Sequence, residues 1–209
     1  MTILALEFSS PQRSVAVARN GRLLATASET GERTTHAFAM MEKTLTDAGV
    51  RREEIEVVAV GLGPGSYTGI RVALAIAQGW QLATGVKLLG ISSAKAIAAQ
   101  AAAENFTGHV AVVIDAQRGE FYRATYEIGA SGGREITPLQ IVTLAEVQAA
   151  GETLIGPEVT RWFPSGRAVF PTAAALAGLA GGRINFMPGE KLEPIYLRET
   201  TFVKLAAQR

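Results

Sequence analysis

One stretch concentrates the glycines, hydroxyls and single cation that could hold or act on a ligand, Gly61-Leu62-Gly63-Pro64-Gly65-Ser66-Tyr67-Thr68-Gly69-Ile70-Arg71. An apolar run, Val57 to Val60, leads into it, and Val72-Ala73-Leu74-Ala75-Ile76-Ala77 leads out with helical character. Glycine admits positive φ and the close approach of another group, and Ser66 or Thr68 can cap the first helical turn with a side-chain oxygen. Gly63, Gly65, Ser66, Thr68, Gly69 and Arg71 therefore form a candidate anion cradle, since unpaired amides and the helix dipole point the same way at such a turn. The same residues equally describe a tight strand-to-helix turn with nothing bound. No Gly-Lys-Ser/Thr follows, so the loop is not a P-loop. Counted from Gly61 or Gly63, the third glycine of a dinucleotide fingerprint is missing. Ser66 does not sit centred between its glycines, as the serine of a Gly-x-Ser-x-Gly elbow must. The two histidines, His36 and His109, lie in opposite halves of the chain, which argues against a serine triad.

Composition narrows the classes further. The chain has 209 residues, 48% hydrophobic and 19% charged, enough for one large domain or two small ones with an ample core. A net charge of +1 gives no strong field for nucleic acid, so any RNA role is expected to run through a partner. The absence of cysteine excludes disulfides, thiolate metal sites and cysteine nucleophiles, and fits a reducing compartment. Met1 to Glu7 lacks the basic segment and long apolar core of a signal peptide. The apolar stretch after Gly69 is broken by Arg71, Gln78, Gly79 and Gln81. It falls short of the ~18 residues that a membrane helix needs. A cytoplasmic protein without a membrane segment is expected.

The elements that must position the loop follow from the pattern. Ile3–Leu6, Ser14–Ala18 and Leu23–Ser28 read as three strands, the last two joined at Asn20-Gly21, a strong hairpin signal. A helix starting at Thr34 or Thr35 carries apolar residues Ala37, Met41, Leu45 and Ala48 at helical spacing and stops at Gly49. Glu54–Val60 is a strand feeding the glycine loop, and the helix beyond it runs to about Thr84 with Gly85 as its stop. Lys87–Ile91 is a strand, and Ser92 or Ser93 caps an alanine-rich helix ending near Glu104. The order strand-strand-strand-helix-strand-helix-strand-helix gives a mixed sheet with helices on its faces. A second unit starts at His109–Asp115, pairs with Phe121–Tyr126 across Arg118-Gly119, and turns at Ser131-Gly132-Gly133. A short helix at Leu144–Ala150, a strand at Thr153–Gly156, a helix at Thr172–Ala180 and an extended Pro194–Arg198 complete it. The division expected is a first lobe at 1–104 and a smaller second lobe at 105–209, with a tight junction near Asn105.

The helices also look built to associate. Ala75, Gly79 and Ala83 make a stripe of small residues, flanked by Leu74, Gln78 and Gln81, where another helix can come close. The first helix offers Phe38, Met40, Met41 and Leu45 over an arc too wide for a single buried face, and methionine packs adaptably. One apolar face is expected to cover the sheet and the other a partner.

Taken together, the chain resembles the TsaB (YeaZ) family. The matching residues are Ile3–Leu6 with Ser9-Ser10, Ser14–Val17, Gly63–Arg71, Asp115-Ala116-Gln117-Arg118-Gly119-Glu120-Phe121-Tyr122 and Pro194–Arg198, in order along nearly the whole chain. The resemblance implies an α/β, two-lobed actin/Hsp70/sugar-kinase-like (ribonuclease H-like) fold with the second lobe reduced. It also implies the function of a non-catalytic partner of TsaD. TsaD transfers threonylcarbamoyl from threonylcarbamoyl-AMP to the adenosine beside the anticodon of tRNA, and the ATPase TsaE assists turnover. The family packs its helices into a bundle with TsaD, or with a second copy as a homodimer when TsaD is absent. On this reading tRNA is met through the complex, and the chain has no cofactor of its own, ATP or ADP belonging to the complex.

Carried over residue by residue, the resemblance assigns no catalysis and no metal to this chain. Catalytic relatives hold a metal with histidines one helical turn apart, which share a helix face. Here His36 has Met40 at i+4 and Glu32 at i−4, and is expected at a helix start or interface. Glu7 stands where the family has Asp, followed by Phe8 instead of Thr. Glu7 and Asp115 would face the cleft between lobes, where superfamily enzymes hold Mg²⁺ for phosphoryl transfer. The plainer expectation is a polar strand end and a turn former. The alternative function is an autonomous ATP-binding hydrolase or kinase of the same superfamily; a homodimeric binding module is a third.

Overall fold

The computed structural model describes residues 1–31, 36–129 and 132–197. The expected helix start at Thr34 or Thr35, together with Glu32, Ser131 and Arg198, lies outside those residues. Strand β1 (Thr2–Glu7) is wholly buried, and pairs antiparallel with β2 (Gln12–Arg19) and parallel with β4 (Val57–Gly61). Strand β3 (Arg22–Thr30) forms the edge beside β2, and β5 (Lys87–Ile91) the edge beside β4. Burial on both faces explains why β1 and β4 are continuous apolar runs instead of alternating ones. The β2–β3 hairpin turns at Asn20 and Gly21, both at positive φ (52° and 79°), as its Asn-Gly sequence predicts.

Helices α1 (Ala37–Ala48) and α2 (Tyr67–Thr84) cover one face of this sheet. Both end as expected on left-handed glycines, Gly49 and Gly85. Helix α3 (Ser93–Ala103) then leads through Asn105, at φ 63°, into the second sheet. That sheet contains β6 (Gly108–Asp115), β7 (Glu120–Gly129), β8 (Gly132–Thr143), β9 (Thr153–Gly156) and β10 (Arg167–Ala168). Helix α4 (Leu144–Ala149) follows β8, and α5 (Ala173–Ala180) follows β10.

The two sheets share one topology. The first runs β3-β2-β1-β4-β5, and the second, read from β8, runs β8-β7-β6-β9-β10. This is the duplicated ribonuclease H-like unit expected. The second copy is reduced: α4 has 6 residues where α1 has 12, a 3₁₀ turn at Val159–Arg161 stands in the place of α2, and β10 has 2 residues. The helix packing crosses the sequence midpoint. Helix α3, from the first half, buries Ala94, Ile97, Ala98 and Ala101 on the second sheet. Helix α5, from the second half, buries Ala173, Leu176, Ala177 and Ala180 on the first. Among the described residues no helix is long and apolar enough to cross a membrane.

Candidate functional site

The glycine loop is packed from beneath by the end of β1. The Ser9 carbonyl accepts the Ser66 amide at 2.7 Å, and the Ser66 hydroxyl, capping α2, accepts the Gly69 amide at 3.3 Å. Gly65 lies at φ 146°, and a Cβ there would overlap the Ser9 carbonyl. The donors at Ser66 and Gly69 are thus spent within the chain. Thr68, expected to share in an anion cradle, is an exposed residue of the first turn, and Arg71 lays its guanidinium over the Tyr67 ring at 4.1 Å. Gly63 donates its amide to Ser93 Oγ at 3.1 Å and accepts the Ser93 amide at 2.7 Å.

The two acids offered for a cleft, Glu7 and Asp115, have different hydrogen-bond partners. Glu7 has no exposed surface. Its Oε1 accepts the Ser9 amide at 2.8 Å, and its Oε2 meets the Ser93 hydroxyl at 2.9 Å. Gly61 faces it so closely that a Cβ would overlap the carboxyl group. Burial pushes the Glu7 carboxyl above its ordinary range, against the opposing pull of its bonds from Ser9 and Ser93. Asp115, at the end of β6, accepts the Gln117 amide at 2.6 Å in the β6–β7 turn. Each carboxyl group is thus engaged by hydrogen-bond donors of its own surroundings, Ser9 and Ser93 for Glu7 and Gln117 for Asp115. His36 precedes α1 without a side-chain cap, and its ring and amide meet the Glu29 carboxylate of β3 at 3.2 and 3.0 Å.

Between α1 and α2 lies an open, mostly apolar groove of about 1080 Å³. Its lining includes Phe38, Met41, Leu45, Ala75, Gly79 and Ala83. Phe38 is 73% exposed, and Ala75 and Gly79 are exposed beside it. Met41 and Leu45 form its floor while belonging to the core. Other expected interface residues are committed inward. Met40 and Leu74 are buried against the sheet. Gln78 donates to the Gly189 carbonyl at 2.9 Å, and Gln81 both accepts the Gly189 amide at 2.7 Å and donates to the Val86 carbonyl at 3.2 Å. Met40 thus packs α1, and Leu74 packs α2, on the sheet, while Gln78 and Gln81 tie α2 to the segment around 189, so the four leave the groove to their neighbours.

Comparison with known proteins decides the family. The TsaB protein of Escherichia coli is 30% identical over 95% of this chain and 95% of its own length. The chain belongs to the TsaB (YeaZ) family. TsaB of Bacillus subtilis is 27% identical over 70% of this chain and 64% of its own. The family model described as TsaD, tRNA N6-adenosine threonylcarbamoyltransferase, matches residues 33–192. The solved structure of YeaZ from Pseudomonas aeruginosa superposes with a TM-score of 0.82 at 27% identity, covering 94% of this chain and 99% of that one.

In this TsaB-family chain, reasoning from sequence missed the other half of the groove wall. Val72, Ile76 and Trp80 line it, one helical turn apart on α2. Their spacing was a usable signal, masked by the small-residue stripe on the adjoining arc. Of the two serines offered as a cap for α3, Ser92 takes the capping position, and Ser93 ties Gly63 to Glu7, a role visible only once β1 and β5 lie in one sheet.

Proposed function

We propose that this chain is a non-catalytic subunit that docks on TsaD, with TsaE joining the assembly, and supports threonylcarbamoyl transfer to the adenosine beside the anticodon of tRNA. The observation that carries this reading is the groove between α1 and α2. Its exposed Phe38 beside an exposed Ala75–Gly79 stripe lets a partner helix approach α2 closely and bury apolar surface. The same groove serves a second copy of the chain when TsaD is absent. The state of Glu7 supports a role without its own phosphoryl chemistry. A carboxyl group sealed from solvent and engaged by Ser9 and Ser93 is poorly placed to hold a metal-bound nucleotide. The tRNA is met within the assembly, in keeping with a net charge of +1.

A reconstitution with one component left out at a time tests this. Purified chain, TsaD, TsaE, tRNA and threonylcarbamoyl-AMP are combined, and modified adenosine is counted. Omitting this chain is expected to abolish sustained modification, and this chain alone is expected to form no product. Turnover by the lone chain, or ATP–Mg²⁺ binding by it that Glu7→Ala abolishes, would establish the autonomous enzyme instead.

A further inference from the structure

The start of α2 carries an exposed aromatic surface that the docking groove does not use. Tyr67 and Tyr196 are 52% and 48% exposed, with ring centroids 5.8 Å apart and planes tilted by 32°. Arg71, one turn further along α2, stacks on Tyr67 and forms no ion pair among the described residues. Both rings are mounted on anchored backbone. Tyr67 opens α2 directly after Ser66, which Ser9 holds, and the Ile195 amide beside Tyr196 donates to the Leu62 carbonyl at 2.9 Å.

We propose that Tyr67, Tyr196 and Arg71 form a stacking site for an unpaired nucleotide of RNA. This rests on the proposed function in one respect: it is the TsaD assembly that brings RNA to the chain. The chemistry argues for this occupant. The exposed parts of two aromatic rings accept any base, and a guanidinium that meets no carboxylate among the described residues is available to a phosphate oxygen. An acidic peptide would use the guanidinium and leave both rings idle. The chain's small net charge means that recognition here draws on stacking more than on a broad field.

The test titrates a fluorescein-labelled anticodon stem-loop of an unmodified tRNA against the chain alone and against its assembly with TsaD, at several salt concentrations. Changing both tyrosines to leucine keeps apolar bulk but removes the π-faces. That variant is expected to lose about tenfold or more in affinity, whereas the double phenylalanine variant stays within about twofold of the wild type. Arg71→Gln is expected to lower the slope of log affinity against log salt by about one. Tyr196→Leu alone, at a half-exposed position outside helix and strand, serves if the double variant does not fold. RNA affinity unchanged by the leucine variants, no RNA binding by the wild type in either form, or loss of TsaD co-elution together with RNA binding overturns the proposal, the last marking a protein interface. Failure of the wild type to co-elute with TsaD counts against the proposed function instead, and the titration of the chain alone still decides the stacking site.

Discussion

Glu7 is an acid kept where water cannot reach it, and that has a consequence for stability. Its native pKa lies above the ordinary value of 4.5, so the folded chain holds a proton that the unfolded chain gives up. The stability it contributes is fully present below the unfolded pKa and is lost as pH rises through the native one. Glu7→Gln keeps an acceptor for the Ser9 amide and offers Ser93 an N–H, but it cannot ionise. Urea midpoints of the wild type are therefore expected to fall from about pH 5 to about pH 9 more steeply than those of Glu7→Gln. Parallel curves would show that this carboxyl group does not titrate across that range. Gly65 is a second test at the same scale. Alanine there faces both a φ of 146° and the Ser9 carbonyl, a backbone atom unable to swing aside. Gly65→Ala is expected to cost about 2 kcal/mol or more in equilibrium unfolding.

At the scale of elements, α1 and α2 each serve two neighbours, and substitutions should separate the two. Ala75 is exposed, so Ala75→Arg is expected to leave the melting temperature of the isolated chain nearly unchanged while abolishing co-elution with TsaD. Met41 is 6% exposed and part of the core, so Met41→Glu is expected to unfold the chain and is no test of docking. Gly79 is sharper still. It sits mid-helix, and a methyl group added to it would point into open space with nothing within 4 Å, so Gly79→Ala is expected to stabilise the lone chain by about 0.5–1 kcal/mol. If a partner helix crosses α2 there, the same methyl weakens association, and opposite signs in unfolding and co-elution experiments would locate the crossing. The ends of these helices were legible because Gly49 and Gly85 mark left-handed caps. Which arc of α1 faces the sheet was not: Phe38, Met40 and Met41 are alike in hydrophobicity, and only packing sends Met40 inward and Phe38 outward. Strand β8 was missed for a related reason. It is an edge strand containing Pro138, bulged against β7 and exposed along most of its length, so its sequence carries no clean alternation.

For the whole molecule, the decisive feature is the exchange of helices between lobes. The order of elements showed two similar units, yet residues 1–104 do not by themselves cover their own sheet. Ile3, Ala5, Ala16, Val57, Ala59, Leu89 and Ile91 are closed over by α5, from the other half. The Ala173 amide at the start of α5 donates to Ser14 Oγ of β2 at 2.8 Å, and Thr172 Oγ1 donates to Gln100 Oε1 of α3 at 2.9 Å. Periodicity could not reveal this, because an alanine-rich helix such as α5 is apolar all round and names no particular sheet. A fragment ending at residue 104 would bare that face and leave α3 without the second sheet. It is expected to be molten or aggregated on its own, with poorly dispersed amide NMR signals, whereas co-expressed 1–104 and 105–209 should assemble into a native-like complex. The intact chain should unfold in a single cooperative transition, with circular dichroism and tryptophan fluorescence superimposing, since Trp80 reports on the first sheet and Trp162 on the second. A fragment 1–104 with sharp, dispersed signals would show that each lobe closes its own core and that the exchanged helices are dispensable to it.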